Sequence, residues 1–301
     1  MKTDCLVALA EKLKIEYSEN EAMSLHTSFK IGGNADIILY PKTEKELAEV
    51  VALAKTEDIP VFILGKGSNL LVSDSGIAGA VISTTAMQGI ALVGDTEIVA
   101  DAGVTLAALC RFARDNSLSG LEFAYGIPGT VGGALYMNAG AYGGDMSMVV
   151  ASAKSLDQNQ KIVSRSLNEM KLGYRKSIYD ERNEIITSVT FSLKKGDKAQ
   201  ITADMETFMG KRKNSQPLDF PSAGSTFKRP EGYYAAALID ECGLKGLSVG
   251  DAEVSTKHAG FVINKGSAKC QDVLELIEKI QNIVKEKRGV ELHTEVIHIG
   301  R

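Results

Sequence analysis

GIPGTVGGALYMNAGAYGGD, residues 126 to 145, is the stretch from which the rest of the chain is best read. Gly126, Gly129, Gly132, Gly133, Gly140, Gly143 and Gly144 crowd around Pro128, Thr130, Asn138 and Tyr142. Ordering a glycine within regular structure costs about 0.5–1 kcal/mol relative to alanine, so a run this dense is expensive for an idle loop. It implies unusual backbone angles, a flat ligand lying against the main chain, or a tightly packed turn.

A second glycine element lies upstream, where Gly65, Lys66, Gly67, Ser68, Asn69 and Leu70 follow directly on the apolar run VFIL (61 to 64). An exposed turn at the end of a buried strand is a suitable place for an anion, because glycines let backbone amides approach it closely. The turn is not a dinucleotide fingerprint, since Leu70 stands where GxGxxG needs its last glycine, and it lacks the GK[ST] of a phosphate-binding loop. A plain strand-to-loop connection remains open as an alternative.

Around these elements, helix-like and strand-like patterns alternate, which points to mixed α and β layers. Thr43 and Glu46 form a capping box ahead of a helix whose Leu47, Val50, Val51 and Ala54 share one face. Thr105 caps a second helix with Leu106, Leu109, Cys110 and Ala113 facing inward. Strands are predicted near Ile37 to Leu39, Val61 to Leu64, Ala80 to Ile82 and Ile98 to Ala100. Strands and turns dominate from Val149 to Leu193, and the polar connector Lys194 to Lys198 suggests a domain boundary. Beyond it lies a smaller α+β unit. Val273, Leu276, Ile277, Ile280, Ile283 and Val284 make the apolar face of a long helix there, followed by a strand near Glu295 to Ile299.

A chain of 301 residues with 44% hydrophobic and 24% charged residues suits two or three globular units. Its formal net charge of -4 gives no general attraction to nucleic acid or an anionic membrane. No secretory signal and no membrane-spanning run is apparent, so a cytoplasmic location is expected. Cys5, Cys110, Cys242 and Cys270 are far apart and read as reduced, mostly buried thiols. His26, His258, His293 and His298 form no convincing metal site, and none is expected.

TSFKIGGNAD (27 to 36), GKGSNLLVSD (65 to 74) and the glycine block of 126 to 145 resemble the UDP-N-acetylenolpyruvoylglucosamine reductase family. So do GYRKS (173 to 177), QPLDFPSAGSTFKRP (216 to 230), HAGFVIN (258 to 264) and LHTEVIHIG (292 to 300), in order along nearly the whole chain. The resemblance implies an α+β chain with an FAD-binding fold of the vanillyl-alcohol-oxidase type. That fold would occupy 1–196, as two α/β subdomains of approximately 1–80 and 81–196. A substrate-binding α+β domain would follow at 197–301, its C-terminal segment returning to the active site.

The resemblance also implies an oxidoreductase of cell-wall precursor synthesis, in which NADPH reduces bound FAD and leaves, and the enolpyruvyl UDP-sugar then accepts the hydride. Gly65, Lys66, Gly67, Ser68, Asn69 and Leu70 would hold the FAD pyrophosphate. Gly129, Thr130, Gly132, Gly133, Asn138, Ala139, Gly140 and Ala141 would line the rest of the cofactor. Saturating an enol ether conjugated to a carboxylate needs hydride at one carbon, a proton at the other and stabilisation of the enolate between. On the family pattern Ser225 donates the proton and Arg175 grips the carboxylate with its planar cation. Glu295 would assist as a neutral acid or by orienting Arg175 or a water, because an ionised carboxylate would repel the enolate. Tyr174, Arg212, Gln216, Lys228 and Arg229 are candidates for the UDP-sugar. The family's serine motif often reads GSxFKNP, so Arg229 replaces an asparagine, and Lys30 stands where arginine is common. Partners are confined to the UDP-sugar and NADPH, with a monomer expected. Another flavoprotein acting on an alcohol or sugar, or a noncatalytic nucleotide-binding protein, are the alternatives that the ordered Arg175, Ser225 and Glu295 motifs disfavour.

Overall fold

The computed structural model describes residues 3–301. Contacts divide the chain into two units of interleaved segments. The first takes residues up to Ser18, Ile37–Lys66 and Gly79–Arg212; the second takes Glu19–Asp36, Gly67–Ala78 and Lys213–Arg301.

The first unit has two cores. In one, Leu6 and Ala10 of helix Asp4–Leu13 meet Leu47, Val50 and Ala54 of helix Glu44–Thr56 over the strand residues Ile37, Leu39, Ala80 and Ile82. The predicted cap is present, with Thr43 Oγ1 accepting the Glu46 amide at 3.1 Å. The reciprocal half of the capping box differs: the Glu46 carboxylate accepts the Lys42 amide at 2.7 Å, one residue before the cap. Val61–Leu64 runs parallel to Ala80–Ser83, so the glycine turn that begins at Gly65 leaves the end of a paired strand.

The other core lies under an antiparallel sheet in the order Ile162–Ser166, Val150–Leu156, Ile185–Ser192, Glu97–Asp101, Ile90–Val93. Helix Leu106–Asp115 covers it with Leu106, Leu109, Cys110 and Ala113, the four residues its spacing singled out. Thr105 Oγ1 accepts the Ala108 amide at 3.2 Å and so fixes where that helix starts. The connector after Leu193 is a short strand, Lys194–Lys195, and helix Lys198–Ser215, which belongs to the first unit as far as Arg212.

In the second unit, helix Cys270–Arg288 buries Val273, Leu276, Ile277, Ile280 and Val284 in a core with Leu238, Ile239, Val254 and Val262. Each such side chain contributes about 1.5–3 kcal/mol when fully buried. The helix ends at Gly289, whose φ of 67° is the left-handed stop that glycine accepts best. The terminal strand is shorter than expected, Ile297–Ile299, because the Glu295 and Val296 amides both turn to the Thr226 carbonyl, at 2.8 and 3.5 Å. It runs parallel to Leu70–Val72, which brings the end of the chain beside the strand that follows the Gly67–Asn69 turn.

Candidate active site

In the first unit most glycines of the dense block answer to packing. A Cβ on Gly132 would lie 2.9 Å from the Ala102 Cβ, one on Gly140 2.7 Å from the Asp145 Cβ, and one on Gly144 2.6 Å from the Phe123 ring. Tyr142 and Gly143, with φ of 53° and 87°, close the hairpin between Gly140–Ala141 and Gly144–Asp145. The Tyr142 ring stacks on Phe208 with centroids 5.0 Å apart. Gly133 is different. It sits exposed in helix Val131–Tyr136 with no left-handed φ, and a Cβ there would meet only Thr130 Oγ1, at an ordinary 3.5 Å. Neither backbone nor packing asks for glycine, so the bare surface fits a flat ligand lying against the main chain.

Arg175 occupies a tight turn closed by two hydrogen bonds between Gly173 and Lys176, at 3.0 and 3.2 Å. Its φ of 54° puts an arginine where such a turn favours glycine or asparagine. A left-handed conformation costs a side-chain-bearing residue roughly 1–2 kcal/mol, and such residues gather at functional sites. The guanidinium lies 5.1 Å from the centroid of the exposed Tyr174 ring. The Asn138 side chain, buried at 4% exposure, donates to the Gly173 carbonyl at 3.1 Å and accepts the Ser147 amide at 3.0 Å. It is thus committed inside the protein, leaving only its backbone for a ligand. Arg212 lies over Gly126, its Cδ 3.0 Å from where a Cβ would be. Burial lowers the Arg212 guanidinium from its ordinary value, and no carboxylate among the described residues pairs with it.

In the second unit the amides of Gly67, Ser68 and Asn69 donate to no acceptor among the described residues, which suits a phosphate. Gly67 is there for two reasons: a φ of 60°, and a Cβ position 2.1 Å from the His26 carbonyl. The Gly67 carbonyl accepts the Ser28 amide at 3.1 Å, and Leu70 is buried where the strand begins. The Asn69 side chain donates to the Glu295 carbonyl at 3.0 Å, and the Glu295 amide donates to Thr226 at 2.8 Å. Glu295 is thereby fixed next to the serine loop.

Ser225 follows Gly224, whose φ is 77°, and precedes the buried Thr226. Its hydroxyl is partly exposed and forms no hydrogen bond with the described residues. The loop around it is held on several sides. Thr226 donates its amide to Gly260 at 2.9 Å and accepts the Val262 amide at 2.9 Å, while Asn264 donates its amide to Pro221 at 2.9 Å. The Ser28 hydroxyl donates to the Ser222 carbonyl at 2.6 Å, and Asn264 Nδ2 donates to Phe29 at 3.2 Å. TSFKIGGNAD and HAGFVIN had no role from sequence alone; within this unit they are the scaffold of the serine loop.

The weaker candidates divide. Gln216 buries its Oε1 without a partner among the described residues, a polar atom that a ligand would satisfy. Lys228 is exposed and tied by its amide to His293 at 2.8 Å, and Arg229 stacks over Tyr234 at 4.0 Å. The histidines serve locally: His26 pairs with Glu21 at 2.7 Å and His298 with the Ser73 hydroxyl at 2.9 Å. Among the described residues no cluster fits a metal ion, and no helix is long and apolar enough to cross a membrane.

Residues 35–165 match the family model of an FAD binding domain, and residues 216–299 match the C-terminal domain of UDP-N-acetylenolpyruvoylglucosamine reductase. An FAD binding domain followed by this C-terminal domain defines a flavin-dependent oxidoreductase. A UDP-N-acetylenolpyruvoylglucosamine reductase of Clostridium novyi is 49% identical over 95% of this chain and 93% of its own. One from Caldanaerobacter subterraneus is 50% identical over 97% of this chain and 98% of its own. The crystal structure of the Thermus caldophilus reductase superposes with a TM-score of 0.80 at 35% identity, covering 94% of this chain and 98% of that one. The chain belongs to the UDP-N-acetylenolpyruvoylglucosamine reductase family.

Proposed function

We propose that this chain uses NADPH to reduce the enolpyruvyl double bond on UDP-N-acetylglucosamine, forming UDP-N-acetylmuramate for peptidoglycan. FAD, when bound, accepts hydride from NADPH and passes it to the alkene. Gly65 to Leu70 hold its pyrophosphate, and Gly129, Thr130, Gly132, Gly133 and the backbone of Asn138 to Ala141 line the remainder. On this reading residues 1–196 chiefly serve the cofactor and 197–301 the substrate.

The chain's own groups complete the chemistry. Arg175 grips the enolpyruvyl carboxylate and stabilises the charge that develops on it, where a planar donor pair is effective. Ser225 gives the proton that finishes saturation. Glu295 works as a neutral acid or orients a water, since an ionised carboxylate would oppose the enolate. Arg212 and Gln216 bind the UDP-sugar, the first as a cation without a carboxylate partner among the described residues and the second through its buried Oε1, with Tyr174, Lys228 and Arg229 at the edge. The enzyme acts in the cytoplasm.

One observation carries this reading: the Ser225 hydroxyl has no hydrogen-bond partner among the described residues, although the loop bearing it is pinned to Glu295, Gly260 and Asn264. Ser225→Ala is expected to leave bleaching of the flavin by NADPH nearly unchanged and to slow its reoxidation by the sugar nucleotide about 10²–10⁴-fold, the range for a lost general acid. Anaerobic stopped-flow absorbance separates the two steps. Equal loss in both would remove Ser225 from the role.

A further inference from the structure

We propose that Asn138 is a positioning residue for Arg175, acting through the carbonyl of Gly173; the inference deepens the reductase reading and rests on it. Asn138 ends the segment after helix Val131–Tyr136, and its side chain is nearly inaccessible. Both ends of the amide are used, Nδ2 on the Gly173 carbonyl at 3.1 Å and Oδ1 on the Ser147 amide at 3.0 Å. The carbonyl it holds opens the four-residue turn in which Arg175 stands at φ 54°.

That turn has a conformational problem of its own. A left-handed arginine relaxes unless neighbouring contacts over-determine it. The two bonds between Gly173 and Lys176 close the turn on itself but do not attach it to anything. Beside the exposed Lys176–Glu181 ion pair at 2.7 Å, two buried side chains attach its ends: Asn138 at Gly173, and Ser177, whose hydroxyl donates to the Tyr136 carbonyl at 2.8 Å. Both reach the same place, the C-terminal end of helix Val131–Tyr136. Asn138 therefore connects the glycine block to the arginine: the side that faces Ser147 holds the Gly140–Asp145 hairpin region, and the side that faces Gly173 sets where the guanidinium projects. An aspartate has the same shape and keeps the acceptor for Ser147, but it has no donor for Gly173 and sets a carboxylate against a carbonyl.

The test compares Asn138→Asp and Ser177→Ala with the parent flavoprotein by amide hydrogen exchange over residues 172–177, flavin content, and steady-state kinetics with the enolpyruvyl sugar nucleotide. Expected are exchange at least tenfold faster across the turn, flavin retained, and a KM for the sugar nucleotide raised at least tenfold with a smaller change in kcat. Adding Arg175→Lys to Asn138→Asp should give much less than the product of the two separate losses, because both act on one guanidinium. Unchanged exchange in folded Asn138→Asp overturns the proposal, as does flavin release with an unaltered KM. Should Asn138→Asp not fold, Asn138→Ala decides in the same way, through exchange across the turn and KM. If the parent protein itself fails to turn over the sugar nucleotide, the reductase reading falls, while the exchange measurement still decides whether Asn138 holds the turn.

Discussion

Thr226, a buried residue, anchors the serine loop through three of its groups. Its amide and carbonyl tie the serine loop to Gly260 and Glu295, and its hydroxyl accepts the Val262 amide at 2.9 Å. Thr226→Val keeps the shape and removes the acceptor, leaving a buried amide unsatisfied. Such a loss costs about 1–3 kcal/mol. Urea unfolding should show a deficit of that size, and reoxidation of the flavin by the sugar nucleotide should slow while its reduction by NADPH does not. A variant as stable as the parent would mean the bond is not needed to hold the loop. Ser225 and Arg175 stood out in the sequence because each sits in a short motif. Thr226, Asn138 and Asn264 stood out less: their work is to bond backbone atoms 35 or more positions away, and that leaves no local pattern.

Elements were legible in proportion to how one-sided they are. The helices Leu106–Asp115 and Cys270–Arg288 each bury a continuous apolar stripe, so spacing alone located them. Helix Lys198–Ser215 fully buries only Ile201 and Met205, the rest being half-buried or exposed, so the same spacing was silent. Its contribution is specific instead: it brings Phe208 under Tyr142 and Arg212 over Gly126. The start of helix Cys270–Arg288 shows another limit, because its capping group comes from far along the chain. The Asp74 carboxylate accepts the Cys270 amide at 2.9 Å and the Gln271 amide at 3.2 Å. Asp74→Ala should lower the stability of the protein by about 1 kcal/mol, the usual worth of an N-terminal cap. Burial, with Asp74 adding to it, pushes the Cys270 thiol up to about 12, which keeps it unreactive at neutral pH. Denaturation midpoints in urea for the parent and Asp74→Ala check the first point; no change would mean solvent caps the helix equally well.

For the molecule as a whole, the interleaving of segments was the least legible feature, since residues 19–36 and 67–78 join 213–301 through contacts such as Ser28 to Ser222 and Asp74 to Cys270. Cofactor binding is also a property of the whole, because a ligand held only by the folded state stabilises it by RT ln(1 + [L]/Kd), about 2.7 kcal/mol at a hundredfold excess over Kd. Protein stripped of flavin should therefore melt at a temperature that climbs with added FAD, by about 5 °C or more at that excess. Gly133→Ala turns this into a discriminating measurement. The added methyl meets nothing closer than 3.5 Å in the protein, and alanine is favoured over glycine in a helix by about 1 kcal/mol. Stripped Gly133→Ala should thus melt slightly above stripped parent protein. If the isoalloxazine or its neighbouring atoms lie against this bare backbone, the same methyl intrudes on them, and the FAD-dependent rise should shrink markedly. The opposite signs of the two effects separate a surface kept bare for a ligand from one that merely tolerates glycine, for which the FAD-dependent rise would be as large in the variant as in the parent.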